Sequence, residues 1–383
     1  MFLFSSFSAC GATHKKNDDR VLSPSHVLTG AENPGGNTRF SEVVSLATNP
    51  LSSDAPWQKG GEFILPCSNS LAIAAVFDGV GGSARGNEAA LAGASFLLDQ
   101  RDKEKTLVDK LKECACHVSE KQAAYPKEEQ GYTVASGFQI CGYRYQKSPV
   151  PTNMSPAHEN EKLRPFFGCI PFNAGDSRTY RFSKGNALPL TNDHTLANYK
   201  ASLGIGYSAS DCNVVTKFLG GENLYPFDIY KAFKLEPGDI VFSCSDGFWE
   251  YIPKPLLEQA LIELQEDFFN LLTPFKDSSL CQNAPDSTAD CIGSSRYEKQ
   301  TIVSTLDKEF SNQKQNACPS AVPTNAPEKE AVYTTYLFNP DKALSLFEKR
   351  VEYLVNTARG NGSPDDISVV FACYIPCEDL CEK

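Results

Sequence analysis

Leu71-Ala72-Ile73-Ala74-Ala75-Val76-Phe77-Asp78-Gly79-Val80-Gly81-Gly82 runs seven apolar residues into an acid and a cluster of glycines. A run that is apolar on both faces predicts a strand inside a sheet covered on each side, with Asp78 delivered to a turn where the strand leaves that cover. The glycines let the backbone approach a neighbour closely. A carboxylate against apolar core is costly unless it is solvated, hydrogen-bonded or neutralised by a cation. The last of these would make the position functional.

The same design recurs downstream. Ile240-Val241-Phe242-Ser243-Cys244-Ser245 is another buried run that ends at Asp246-Gly247, and Asp365-Asp366 leads into the apolar stretch from Ile367 to Ile375. If these strands pack side by side, Asp78, Asp246 and Asp365 converge at one edge and repel one another unless a cation neutralises them. No His or Cys stands beside them, so the donor set is all oxygen and suits magnesium or manganese rather than zinc. Two such ions sharing a water would lower its pKa enough for in-line attack on phosphorus. Hydrolysis of a phosphate ester would then need no protein nucleophile.

The remaining chain supplies material for sheets and covering helices. Gly86 to Asp99 and Thr106 to Ala124 read as helices, the second ended by Pro126. Leu256, Leu257, Ala260, Leu261, Leu264 and Phe268 fall at helical spacing, as do Leu344, Phe347, Val351, Leu354 and Val355. Met1-Phe2-Leu3-Phe4 reads as the start of a strand, and it lacks the basic n-region of a signal peptide. Further strands are expected over Tyr132 to Tyr145, Phe166 to Phe172 and Thr179 to Phe182. Thr191 to Asp211 reads as a flap with little regular structure. Polar stretches rich in Pro, Gly, Ser and Asn predict surface insertions at about 22–60, 147–162 and 276–332.

With 383 residues, 41% of them hydrophobic, the chain can bury a full core. Its net charge of -11 and lack of a basic stripe argue against a nucleic acid partner. No apolar run approaches the roughly 18 residues of a membrane span, so no membrane partner is expected. Fourteen cysteines are many, but Cys141, Cys169, Cys244 and Cys373 lie in apolar strands where a thiol packs as a small hydrophobe. Reduced thiols in a cytoplasmic protein are the expectation. Neither Cys114-Cys116-His117 nor Cys373-Cys377-Cys381 offers the ligand number and spacing of a zinc site.

Taken in order, Lys16-Asn17-Asp18-Asp19-Arg20, Asp78-Gly79-Val80-Gly81-Gly82, Gly175-Asp176-Ser177-Arg178, Leu190-Thr191-Asn192-Asp193-His194, Ser245-Asp246-Gly247 and Gly362-Ser363-Pro364-Asp365-Asp366-Ile367-Ser368 resemble the motifs of the type 2C metal-dependent serine/threonine protein phosphatases. The variants are of bacterial type, and the resemblance spans about Gly11 to Tyr374. It implies an α+β fold, a four-layer α-β-β-α sandwich of two mainly antiparallel sheets flanked by helices, formed as one domain over residues 1–383. It implies removal of phosphate from serine or threonine of a phosphoprotein, using two Mn2+ or Mg2+ ions with a third bound more weakly; a monomer is the expectation, though the sequence itself does not give the oligomeric state.

By motif position, Asp78 bridges two ions, the Gly79 carbonyl serves one of them, and Asp246 and Asp365 hold the other. Asp19, or Asp18 beside it, acts through ion-bound water, and Asp176 helps hold the third ion. Asp366 replaces an asparagine common in the family and is read as a neighbour of the ligands. Two departures bear on mechanism. Val80 stands where many members carry a histidine general acid, and His14, Lys15 and Lys16 stand where members carry an arginine that grips phosphate. Lysine and histidine lack arginine's two-pronged fork. His194 is expected to make a structural hydrogen bond, Ser177 and Arg178 to tie down their turn, and Phe248 and Trp249 to fill core. Two other functions remain open: a phosphatase-like binding protein without activity, and a hydrolase of small phosphate esters.

Overall fold

Strand β1 (Phe2–Ala9) is buried along its whole length, with Phe2 and Phe4 turned to one apolar cluster and Leu3, Phe7 and Ala9 to another. This alternation sets the layers. The computed structural model describes residues 1–12, 14, 16–30, 36–46, 49–50, 71–81, 83–103, 105–144, 166–222, 225–271, 273–274, 301–303, 335–337 and 339–375.

After β1 come β2 (Arg20–Leu22), β3 (Val27–Thr29), β4 (Asn37–Val44), β5 (Asn49–Pro50) and β6 (Leu71–Gly79), the strand that delivers Asp78. Helices α1 (Gly86–Asp99) and α2 (Leu107–Gln122) follow, then β7 (Thr133–Arg144), β8 (Phe166–Ala174), β9 (Arg178–Ser183) and β10 (Asn186–Pro189). A short helix α3 (Leu196–Ser202) and a 3-10 turn at Ala209–Asn213 precede β11 (Asp228–Ile229), β12 (Phe233–Lys234) and β13 (Ile240–Cys244). The chain continues through α4 (Asp246–Trp249), α5 (Lys254–Asn270), β14 (Thr273–Pro274), β15 (Thr301–Val303), β16 (Thr335–Leu337), α6 (Pro340–Gly360) and β17 (Ile367–Tyr374).

The first sheet has the order β10-β9-β13-β17-β1-β4, and the second β11-β8-β7-β6-β2-β3 with β12 beside β8 and β5 beside β7. All of these pairs are antiparallel except β5 with β7. Helices α5 and α6 cover the first sheet through Leu261, Leu264, Phe347 and Leu354, which meet Phe242 and Phe371. Helices α1 and α2 cover the second, with Ala90, Leu97, Leu111 and Val118 against Ile73 and Phe77. Phe4, Val76, Phe138, Val241 and Val370 fill the space between the sheets. The result is the four-layer α-β-β-α sandwich. Burying each such side chain contributes about 1.5–3 kcal/mol, so the continuous apolar runs of β6 and β17 follow from having cover on both faces.

The inter-sheet layer turns polar toward the strand ends that carry the acids. Ser136 Oγ lies 2.9 Å from Thr179 Oγ1, which lies 2.7 Å from Ser243 Oγ, and Ser8 Oγ lies 2.8 Å from Ser368 Oγ. All five are fully buried, and hydrogen bonding to one another satisfies them.

The stretch at about 22–60, expected as surface connections with a short strand or two, carries among its described residues β3, which pairs with β2, and β4, which pairs with β1 over eight residues. The flap at 191–211 is more regular than expected. Thr195 caps α3 by accepting from Asn198 N–H, and a 3-10 turn follows. The insertion expected at 147–162 lies outside the described residues, as does that at 276–332 apart from β15. Among the described residues no helix is long and apolar enough to cross a membrane.

Candidate active site

The end of β6 places Asp78 and Gly79 in the wall of a cavity of about 650 Å³. Asp246, at the start of α4, and Asp365, just before β17, reach the same cavity because β13 and β17 are neighbours in the first sheet. Asp176, in the turn between β8 and β9, joins them. His14, Val80, Arg178, Asp193, Trp249 and Glu250 complete that wall, while Asn198, Tyr207 and Cys212 face it from the flap.

These carboxyls are crowded and poorly solvated. Burial raises Asp78 well above the usual carboxylate range, and repulsion from Asp19 and Asp246 adds to it. Asp19, 1% exposed, is raised by burial and then by Asp366 and Asp365. Asp246 is pushed up to about 8 by burial and Asp365, and Asp176 to about 6 by burial and weaker repulsions. Burial also raises Asp18 and Asp365. Asp18 Oδ1 and Asp19 Oδ2 are buried with no hydrogen-bond partner. Crowded carboxylates that repel one another, with two buried oxygens lacking a hydrogen-bond partner, suit an oxygen-ligated divalent cation, and the ligand atoms of His14, Asp365 and Asp366 lie within 4.8 Å of one another. Asp19, Asp78, the Gly79 carbonyl, Asp246 and Asp365 could hold such ions, with Asp18 and Asp176 at the margins.

The residues expected to meet phosphate divide. His14 lines the cavity, with Nδ1 3.1 Å from Asp366 Oδ2 and Nε2 3.6 Å from Asp365 Oδ1. Burial works against its charge, yet Asp366 and Asp365 raise its pKa above the ordinary histidine value. Lys16 is exposed, its Nζ 3.9 Å from Asp18 Oδ1, and it is absent from the cavity wall. Lys15 lies outside the described residues.

Arg178 donates from Nε and Nη2 to Asp193 at 2.8 and 2.6 Å and so ties down the turn as expected, whereas the buried Ser177 Oγ has no hydrogen-bond partner among the described residues. His194 also has the expected structural role. Its Nδ1 accepts from Gly175 N–H at 3.0 Å, so Nε2 carries the proton shared with Asp228 at 2.9 Å. Phe248 is buried in core, and Trp249, half-buried, packs against the same cluster while also lining the cavity. The Arg178 guanidinium lies 3.3 Å from its ring centroid, and its Nε1–H donates to the Asp176 carbonyl at 3.1 Å. Trp249 therefore fixes the turn that carries Asp176.

Two acids of the cavity wall, Asp193 and Glu250, went unassigned in sequence, and Trp249 has a role there beyond filling core. The signal for Trp249 was its position three residues after Asp246 on the same helical turn, which puts the two side chains on one face. Glu250, raised by burial, faces Asp246 and Asp176 as a further acid. Asp366, read as a mere neighbour, is 2% exposed and accepts two backbone N–H bonds.

No family model matches the sequence, and no curated protein matches it. Solved structures do match. A bacterial serine phosphatase carrying one Arg-to-Lys substitution aligns at 12% identity with a TM-score of 0.52, over 96% of each chain. A serine/threonine phosphatase from Staphylococcus aureus aligns at 13% identity and a TM-score of 0.51, covering 97% of this chain and 95% of that one. The S. agalactiae serine/threonine phosphatase gives 13% identity and a TM-score of 0.50, over 98% of this chain and all of the other. The chain has the fold of these proteins.

Proposed function

We propose that this chain is a divalent-metal-dependent protein phosphatase acting on phosphoserine or phosphothreonine of a phosphoprotein. The observation that carries the reading is the convergence of Asp19, Asp78, Asp246 and Asp365 at one end of the sandwich, mutually repelling and partly orphaned. These are the residues that match the phosphatase motifs in sequence, and chains of the same fold are serine/threonine phosphatases. All the principal acids are present, which favours an active enzyme over a binding protein.

Bound at this cluster, Mn2+ or Mg2+ would acidify a water and screen phosphate charge. The chain's own residues do the rest. Among the described residues of the cavity wall the cationic side chains are His14 and Arg178, and Arg178 is held by Asp193. His14, whose pKa Asp366 and Asp365 raise against the effect of burial, is left to meet the phosphate. Val80 cannot donate a proton to the departing serine oxygen. Outside the principal ion-holding acids, His14 and Asp176, the latter raised to about 6, are wall residues placed to supply one.

Hydrolysis of a phosphoserine peptide with and without Mn2+ tests the reading, alongside a small phosphomonoester. Mn2+-dependent release from the peptide, abolished by a chelator, is expected. Release only from the small ester would make the protein a small-ester hydrolase, and release from neither would make it a binding protein.

A further inference from the structure

We propose that Asp366 is the positioning residue of this site, a buried carboxylate that gathers its acid-bearing segments and that must be an acid rather than an amide. The catalytic part of this inference rests on the phosphatase reading.

Asp366 Oδ1 accepts Gly11 N–H and Oδ2 accepts Asp18 N–H, each at 2.7 Å. One side chain thus grips both ends of the loop that carries His14 and leads into Asp18 and Asp19. The His14 ring is set beside it, Nδ1 3.1 Å from Oδ2. The Asp366 backbone reaches the other two segments. Its N–H donates to Asp365 Oδ1 at 2.8 Å, and its carbonyl accepts from Ser245 Oγ at 3.3 Å.

The packing leaves no slack at these junctions. A Cβ on Gly11 would stand 2.6 Å from the Pro364 carbonyl oxygen, and one on Gly247 2.2 Å from the Asp366 carbonyl oxygen. The 11–18 loop, the turn before β17 and the Asp246-Gly247 turn therefore meet on one residue.

The hydrogen bonding specifies an acid. Both incoming donors are backbone N–H groups, and a carboxylate offers an acceptor at each oxygen. An amide offers one acceptor and one NH2, so whichever way Asn is turned, a buried N–H faces another donor. The bonds that exist are also charge-assisted, which makes them the stronger kind. Asn at this position would free one end of the loop while keeping the shape of the side chain.

The test compares wild type, Asp366→Asn and Gly11→Ala, the last breaking the same junction from the loop side. Three quantities are read: amide exchange at residues 11 and 18 in the metal-free protein, Mn2+ binding by calorimetry, and the Mn2+ half-saturation and kcat for a phosphoserine peptide. In Asp366→Asn, exchange at Gly11 or Asp18 should rise roughly tenfold or more, the size of one charge-assisted hydrogen bond. Mn2+ binding should weaken by about tenfold in both variants, with much of kcat restored at saturating Mn2+, because positioning rather than chemistry is lost. Unchanged exchange and unchanged Mn2+ binding in Asp366→Asn would overturn the proposal, as would a fall in melting temperature with Mn2+ binding intact. If wild type hydrolyses no phosphopeptide, the phosphatase reading falls, and exchange together with calorimetry still decides the role of Asp366.

Discussion

Asp78, Asp246 and Asp365 were legible in the sequence because each adjoins an apolar strand, where a carboxylate has no ordinary reason to be. Asp366 and Trp249 were not legible in the same way. Their roles depend on partners 348 or more and 73 residues away, respectively, which local pattern does not encode. Because the acids cost stability where they stand, Asp78→Asn and Asp246→Asn should each lower phosphopeptide hydrolysis by roughly a hundredfold or more at limiting Mn2+. The metal-free melting temperature should hold or rise. Near-wild-type activity in either variant would remove that residue from the site. Val80 lines the cavity, so Val80→His would place an imidazole there. It should raise the rate on phosphoserine peptide more than on an aryl phosphate, whose leaving group needs no proton. An unchanged ratio of the two rates would show that the missing acid does not limit catalysis.

Helices and central strands declared themselves through periodicity, and edge elements did not. Helix α1 occupies Gly86–Asp99 as its apolar spacing predicts, and α2 begins at Leu107 with Thr106 accepting from Asp109 N–H as its cap. Strand β4 went unread because it mixes Thr38, Arg39, Ser41 and Glu42 with few apolar residues, as an edge strand does. The seating of α1 on β6 depends on a detail that periodicity hides. A Cβ on Gly93 would stand 2.6 Å from the ring of Phe77, which is fully buried one residue before Asp78. Gly93→Ala should therefore cost about 1–3 kcal/mol through overpacking despite Ala's better helix propensity. Denaturant unfolding checks this, and a stabilised variant would show that the ring can move aside.

At the scale of the molecule, composition and the absence of long apolar runs bounded the class, but the four-layer arrangement came from the motif resemblance and not from pattern, and strand order came from neither. The pooled acids give the whole protein a pH dependence. In the metal-free state Asp246, at about 8, binds its proton more tightly folded than unfolded. Its contribution to stability is complete below the ordinary carboxylate range and is lost as pH rises toward about 8. Cations must displace the same protons, so Mn2+ binding strengthens as pH rises past Asp176 at about 6 and toward Asp246 at about 8. The rise in melting temperature on adding Mn2+ should be larger at about pH 8 than at about pH 6. Equal rises would mean that these acids release no protons on binding.

Strand β17 lies between β13 and β1, pairing with both. In the order of the first sheet it alone joins β10-β9-β13 to β1-β4. During synthesis, then, β1 emerges early and has to wait for a partner encoded more than 350 positions later, Phe2 for Tyr374. Until that partner arrives, β1 and β13 each carry an open edge, the kind of surface that recruits other chains. A ribosome stalled before residue 365 would hold a chain prone to aggregation, and no partly made chain could display the acidic cluster. Completion of the sheet and arrival of Asp365 are one event, so the acidic cluster would be assembled all at once, when the last strand joins.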